Sequence, residues 1–193
     1  MNVCILMGSP RENGNTASLL KPFIEEIQKE GFGYNLFWLK DMDIDPCTSC
    51  RTCQADWNEF GCIKMDDMYK IYEAIMKSEL IVFASPIYSW YCTPQMKVAL
   101  DRLVFGMNKI YGEKVGPLLW KGRKAAIITS CGYPIDKGAD LWEEGMKRYC
   151  KHSGLKYIGM MAERHMGFHT VFMDSEKEEH ARAFARKLAS EVK

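Results

Sequence analysis

The sequence predicts an α/β fold, a three-layer sandwich with five parallel strands between helices on both faces. Three observations carry this. Val3-Cys4-Ile5-Leu6-Met7, Leu80-Ile81-Val82-Phe83-Ala84 and Ala125-Ala126-Ile127-Ile128 are short, unbroken apolar runs. Such continuity marks strands covered on both faces, whereas a half-exposed strand alternates. Segments with apolar residues at helical spacing separate the runs, and the alternation of strand and helix continues along the chain, as right-handed crossovers between parallel strands require.

The elements follow in order. The first strand, residues 3–7, ends in Gly8-Ser9-Pro10. Ala17, Leu20, Phe23, Ile24 and Ile27 share one face of a first helix, with Asn15 or Thr16 as its N-cap and Gly31 as its stop. Pro22 inside it is expected to cost a backbone bond and kink it. Tyr34-Asn35-Leu36-Phe37-Trp38-Leu39 is a weaker strand signal. Met68, Ile71, Tyr72, Ile75 and Met76 form the next helical stripe, opened by Asp66-Asp67, whose charges suit a helix N-terminus. After the strand at 80–84, Thr93-Pro94 places an N-cap and then Pro at the first helical position. A helix over about residues 139–152, stopped by Gly154, follows the fourth strand, and residues 157–162 suggest a fifth. Ser175-Glu176-Lys177-Glu178 reads as a capping box before Ala181, Phe184, Ala185 and Leu188. No repeat or linker divides the chain, so the expectation is one domain over residues 1–193 with a Cys-rich loop at 45–64.

Composition narrows the function. With 26 Lys and Arg against 25 Asp and Glu, the net charge is +1, which argues against nucleic acid or an anionic membrane as partner. No apolar stretch approaches the roughly 18 residues of a membrane span. Met1-Asn2-Val3-Cys4 lacks the basic stretch of a signal peptide, so the expected location is cytoplasmic. Eight cysteines are too few for a disulfide scaffold of 193 residues. Four of them, Cys47, Cys50, Cys53 and Cys62, crowd one segment, which in a cytoplasmic protein points to metal or redox chemistry.

In open parallel sheets ligands bind beyond the carboxyl ends of the strands, so the loops after Met7, Ala84 and Thr129 matter most. The first, Gly8-Ser9-Pro10-Arg11-Glu12-Asn13-Gly14-Asn15-Thr16, combines hydroxyls, amides, a cation and a helix N-terminus, the makings of a phosphate cradle. A polar turn with an N-cap is the plainer reading. A Walker A loop fails, because five residues separate Gly8 from Gly14 and Asn15 stands where Lys is needed. The G-x-G-x-x-G fingerprint is absent, and six residues between Cys4 and Arg11 exclude a Cys-x5-Arg phosphatase loop. A site for a single phosphate remains, and an FMN phosphate fits it.

Here the sequence resembles a known family. Gly-Ser-Pro-Arg-x-Asn-Gly-Asn-Thr after a first strand is similar to the flavodoxin-like NADPH-dependent FMN reductases and the related iron–sulfur flavoproteins. Two further segments strengthen the likeness, which spans residues 3–102: Cys47-x2-Cys50-x2-Cys53 with Gly61-Cys62-Ile63-Lys64-x-Asp66-Asp67-Met68, and Ser85-Pro86-Ile87-Tyr88-Ser89-Trp90. The resemblance implies an FMN-dependent oxidoreductase that takes hydride from NAD(P)H and passes electrons to an unidentified acceptor. The cofactor carries that chemistry, so no catalytic acid, base or nucleophile is required of the protein. An electron carrier without pyridine-nucleotide turnover is the alternative, and a thiol redox sensor a third reading.

Carried onto this chain, the likeness places the FMN phosphate among Ser9, Arg11, Asn13, Asn15 and Thr16. Pro86, Ile87, Tyr88 and Ser89 would line the flavin, with main-chain N–H groups on its pyrimidine edge and Trp90 beside them. Helix packing or a subunit contact competes as the role of Trp90 and Tyr91. Cys131 and Gly132 would reach the other side, Gly132 allowing close backbone approach and Cys131 reading also as a small buried hydrophobe. Pro94, Lys97, Asp101 and Arg102 are assigned to structure or interface. The cysteine spacing suits an iron–sulfur ligand loop, and the resemblance implies a [4Fe–4S] centre on Cys47, Cys50, Cys53 and Cys62. The eight-residue gap before Cys62 departs from the family's shorter one, however. Reduced or regulatory thiols and zinc stay open. The loop follows the second strand and is expected at the carboxyl edge, close to the flavin. His165 and His169 lack a third ligand and are not read as a metal site. A homodimer or homotetramer is expected, because the aromatic loop would otherwise leave apolar surface exposed.

Overall fold

The computed structural model describes residues 1–167 and 169–193. Its five strands are β1 (Asn2–Met7), β2 (Gly33–Trp38), β3 (Leu80–Pro86), β4 (Lys124–Cys131) and β5 (Lys156–Arg164). They form one parallel sheet in the order β2-β1-β3-β4-β5. The helices are α1 (Asn15–Lys29), α2 (Met68–Met76), α3 (Pro94–Met107), α4 (Ile135–Gly138), α5 (Asp140–Ser153) and α6 (Ser175–Val192). This is the flavodoxin-like α/β sandwich that the sequence predicts.

The unbroken apolar runs acquire their meaning here. Successive side chains of a strand point to opposite faces. Cys4, Leu6, Ile81, Phe83, Ala125 and Ile127 therefore join one core, packed on Met68 and Ile71 of α2, Leu103 of α3 and Trp142 of α5. Val3, Ile5, Val82, Ala84, Ala126 and Ile128 join the other, under Leu19 and Phe23 of α1 and Phe184 and Leu188 of α6. Neither face of the central strands meets water, so neither needs polar residues.

Several helix boundaries differ from expectation. Gly14, with extended backbone, is the N-cap of α1, and Asn15 and Thr16 lie inside the helix. Pro22 is buried within α1, which continues to Lys29, because burial of Leu19, Phe23 and Ile27 around it outweighs one lost bond. The expected helix at 139–152 is two pieces, the single turn α4 and then α5, which does stop at Gly154. The cap of α6 is Asp174, whose carboxylate accepts the Lys177 N–H at 2.9 Å, so the capping register is one residue earlier than Ser175. A carboxylate is the better partner for the positive helix end.

Candidate functional site

The loop from β1 to α1 opens the site. Ser9 is buried, and its Oγ accepts the Arg11 N–H and donates to the Arg11 carbonyl, both at 3.1 Å. Gly14 N–H donates to the same carbonyl at 3.2 Å. These bonds curl the loop and leave Arg11 and Asn13 exposed and Asn15 half-exposed at its rim. No side chain caps α1, and its first turn holds no acidic residue. By contrast, Thr93 caps α3 and Asp174 caps α6. An uncapped helix start with a cation beside it is electrostatically ready for an anion. Thr16 differs from its neighbours: it is buried, and its hydroxyl lies 2.9 Å from that of Ser130 at the end of β4.

Buried hydroxyls stitch this loop to the two beside it. Thr93 Oγ1 donates to the Gly8 carbonyl at 2.7 Å and accepts the Met96 N–H. Thr93 N–H donates to Ser85 Oγ at 3.1 Å, and Thr129 Oγ1 donates to the Ser85 carbonyl at 2.7 Å. A Cβ on Gly8 would lie 2.8 Å from Thr93 Oγ1 and 2.9 Å from Met96 Cβ, so the close approach of loop and helix requires glycine there. Sequence reasoning found Thr93 only as a cap and missed Ser85, Thr129 and Ser130. The available signal was positional, since all three are polar residues that close otherwise apolar strands.

In the loop after β3, Tyr88 and Tyr91 exchange both backbone hydrogen bonds, at 2.8 and 3.0 Å, around a two-residue turn. Ser89 (φ 49°) and Trp90 (φ 63°) are both left-handed, as in the mirror-image turn that normally takes Asn-Gly. The conformation costs about 1–2 kcal/mol per non-glycine residue. Stacking of Trp90 on Tyr133, with centroids 5.8 Å apart and planes at 20°, helps to hold it. Ile87 N–H is spent on the Ser130 carbonyl and Tyr88 N–H on Tyr91. The donors left without partners among the described residues are those of Ser89 and Trp90. Pro86 and Ile87 are half-buried, and Tyr88, Ser89 and Trp90 exposed. Tyr91 packs edge-on against Trp142, so helix packing is its role.

Across the gap, Cys131 is buried, its thiol donating to the Tyr133 carbonyl at 3.3 Å, and burial raises its pKa. Gly132 is exposed, and a Cβ there would meet open space. Arg164, at the end of β5, donates from Nε to the Gly132 carbonyl at 3.2 Å and so ties this loop to the edge strand; the sequence carried no signal for it.

The cysteine segment is a separate place. Cys47, Cys50, Cys53 and Cys62 all line one pocket, together with Arg102, Phe105 and Gly106 of α3. Thr93, at the start of α3, bonds the Gly8 carbonyl of the loop after β1, whereas Phe105 lies twelve residues on, about 18 Å along the helix axis at 1.5 Å per residue. The loop therefore leaves the carboxyl edge and runs down α3, whereas the sequence reading expects it at that edge beside the loops after β1 and β3. Buried polar anchors hold it there. Lys109 Nζ donates to the Cys53 and Phe60 carbonyls at 2.7 and 3.1 Å, and Gln54 Nε2 to those of Phe105 and Asn108 at 2.7 and 3.2 Å. Arg102 grips both carboxylate oxygens of Asp66 and the Asp45 carbonyl. Burial pushes the Cys53 thiol up despite Gln54 and Lys109, while hydrogen bonds from Thr52 pull exposed Cys50 down. Among the described residues, no three His, Cys, Asp or Glu side chains converge to hold a single metal ion. A four-iron cube is bound by thiolates spread around it, and the buried Arg102 and Lys109 suit such an anionic set.

The family model described as NADPH-dependent FMN reductase matches residues 1–140. An iron-sulfur flavoprotein from Archaeoglobus fulgidus is 32% identical over 99 residues, covering 51% of this chain and 44% of the relative. One from Methanosarcina thermophila is 28% identical over 124 residues, 63% of each chain. The chain thus spans 44–63% of the length of these curated relatives. Among solved structures, an NAD(P)H:quinone oxidoreductase from Methanothermobacter marburgensis is 20% identical with a TM-score of 0.74, covering 100% of this chain and 96% of its own. An FMN-dependent NADH-azoreductase from Bacillus anthracis is 16% identical with a TM-score of 0.70, covering 99% and 98%. At these identities the structural likeness speaks for the fold.

Proposed function

The chain belongs to the NADPH-dependent FMN reductase family, and from that membership we propose that it is an oxidoreductase that binds FMN in the cradle of residues 9–16 and accepts hydride from NAD(P)H. The observation that carries the reading is the uncapped, acid-free start of α1 with Arg11 exposed in the loop before it, at the sheet edge where Trp90 and Tyr133 present stacked, exposed rings. Bound FMN supplies two-electron uptake from a nicotinamide and release to an acceptor. The chain's own residues position it. Arg11 and the α1 N–H groups neutralise the phosphate, Asn13 and Asn15 add donors at the rim, and Ser89 and Trp90 N–H face the ring edge. Tyr88, Trp90 and Tyr133 exclude water from one side. A single phosphate cradle without a dinucleotide fingerprint favours FMN over FAD.

The test is anaerobic addition of NADPH to the FMN-loaded chain. Bleaching of the flavin band is the expected result. Its absence with both NADPH and NADH leaves the electron-carrier alternative. Arg11→Ala should weaken FMN binding about tenfold or more, since a charge-assisted hydrogen bond contributes about 1.5–3 kcal/mol; undiminished FMN retention overturns the cradle assignment.

We further propose that Cys47, Cys50, Cys53 and Cys62 hold a [4Fe–4S] cluster in their pocket, and that a second copy covers the exposed Tyr88, Trp90, Tyr133 and Leu141. Iron and acid-labile sulfide assays on anaerobically purified protein check the first, and no iron returns the cysteines to thiols. Light scattering checks the second, and a monomer mass refutes it. Among the described residues no helix is long and apolar enough to cross a membrane, and a cytoplasmic location remains a proposal, checked by fractionating cells that express the protein.

A further inference from the structure

The Thr16–Ser130 pair contains one hydrogen more than the described residues accept. The two residues are 1% and 5% exposed, and their hydroxyl oxygens lie 2.9 Å apart. Each hydroxyl owns one hydrogen. One hydrogen makes the bond between them; the other has no acceptor among the described residues. A hydroxyl in a helix normally turns to a carbonyl one turn back, as Ser18 does toward Gly14 at 3.1 Å. Thr16 instead points to the sheet. A buried donor without an acceptor is destabilising unless a ligand takes it. Either hydroxyl can be the donor of that bond; Thr16 is the second residue of α1, at the helix start that forms the cradle, whereas Ser130 closes β4, so an anion in the cradle would draw on the Thr16 hydrogen.

We propose that Ser130 is a positioning residue for the phosphate: it donates to Thr16 Oγ1 and so aims the Thr16 hydrogen into the cradle. The inference rests on the FMN reading of that loop and deepens it. Hydrogen bonds in series polarise one another, so the Thr16 hydroxyl becomes a stronger donor to a phosphate oxygen than it would be alone. The Ser130 carbonyl also accepts the Ile87 N–H at 2.9 Å, so one residue registers the phosphate loop against the aromatic loop.

The experiment compares dissociation constants for FMN and riboflavin, measured by flavin fluorescence on the full chain. Riboflavin shares the ring and lacks the phosphate. Ser130→Ala should weaken FMN about fivefold and leave riboflavin unchanged. Thr16→Ala should weaken FMN at least as much. The double variant should be no weaker than Thr16→Ala alone, because Ser130 acts through Thr16. Ser130→Thr should restore FMN affinity. If Ser130→Ala fails to fold, Ser130→Cys carries the same comparison, since a thiol nearly keeps the volume and donates weakly. A wild-type chain that does not prefer FMN to riboflavin refutes the FMN cradle itself. A wild-type preference that Ser130→Ala or Ser130→Cys leaves intact, an equal loss for both flavins, or full additivity with Thr16→Ala overturns the role of Ser130 while the cradle stands.

Discussion

Replacing Arg102 with Met is expected to lower the unfolding free energy by about 3–5 kcal/mol, the cost of stranding one partner of a buried ion pair. The Arg102 side chain is 1% exposed and that of Asp66 10%. The guanidinium also satisfies the Asp45 and Lys64 carbonyls, which the variant leaves without that donor. Burial pushes the Asp66 carboxyl up, but the hydrogen bonds and charge of Arg102 and the Met68 N–H outweigh it, and the net shift is below the ordinary 3.8. In the wild type this contribution is present above 3.8 and is lost as pH falls through the lower folded value. Without Arg102, burial dominates and the carboxyl titrates above its ordinary value. The gap between variant and wild type should therefore narrow as the pH falls from the variant's raised value, above 3.8, through the wild type's lowered one. Urea denaturation at pH 7 and in the acid range checks both. A loss under about 1 kcal/mol with no change on acidification would contradict this account of the pair. FMN affinity should survive in folded Arg102→Met, because the pair anchors the cysteine loop and not the phosphate loop.

Gly106→Ala should also destabilise, although alanine is the better helix former by about 1 kcal/mol. The new Cβ would lie 2.0 Å from Phe60 Cε2 and 2.3 Å from Cδ2. Phe60 has little room to yield: it is fully buried, stacked on Tyr72 at 5.6 Å and met edge-on by Tyr69 at 5.5 Å. Overpacking of this kind costs about 1–3 kcal/mol, and expelling the ring would cost more. Moving Phe60 also moves the carbonyl that Lys109 Nζ binds, which unsettles the backbone between Cys53 and Cys62. The thermal midpoint should drop by several degrees. Phe60→Leu in the Gly106→Ala background should recover part of the loss, whereas alone it should destabilise. A cycle without that coupling would mean the ring is not what confines position 106.

How much of this was legible beforehand differs by kind of information. The parallel sheet was readable because burial on both faces writes itself locally, as unbroken apolar runs at residues 3–7, 80–84 and 125–128. The loop after β1 could be proposed as a phosphate site for the same reason. Its Ser, Arg and Asn residues are contiguous, and a helix start supplies anion-binding groups whatever lies around it. Exact helix starts were less so. Ser175 and Asp174 both cap well as residue types, and only the backbone angles chose the carboxylate.

The amino-acid sequence by itself determined the strand and helix order and the family, because each depends on residues adjacent along the chain. Tertiary structure alone decided three things. It paired Thr16 with Ser130, 114 positions apart, and Arg102 with Asp66, 36 apart. It spent the Ile87 N–H on a neighbouring strand and left those of Ser89 and Trp90 without partners among the described residues. It also carried the cysteines away from the carboxyl edge, along α3. The physical reason is common to all three. A buried polar group must find its partner wherever folding brings one, and that partner is set by which strands and helices pack together rather than by spacing in sequence.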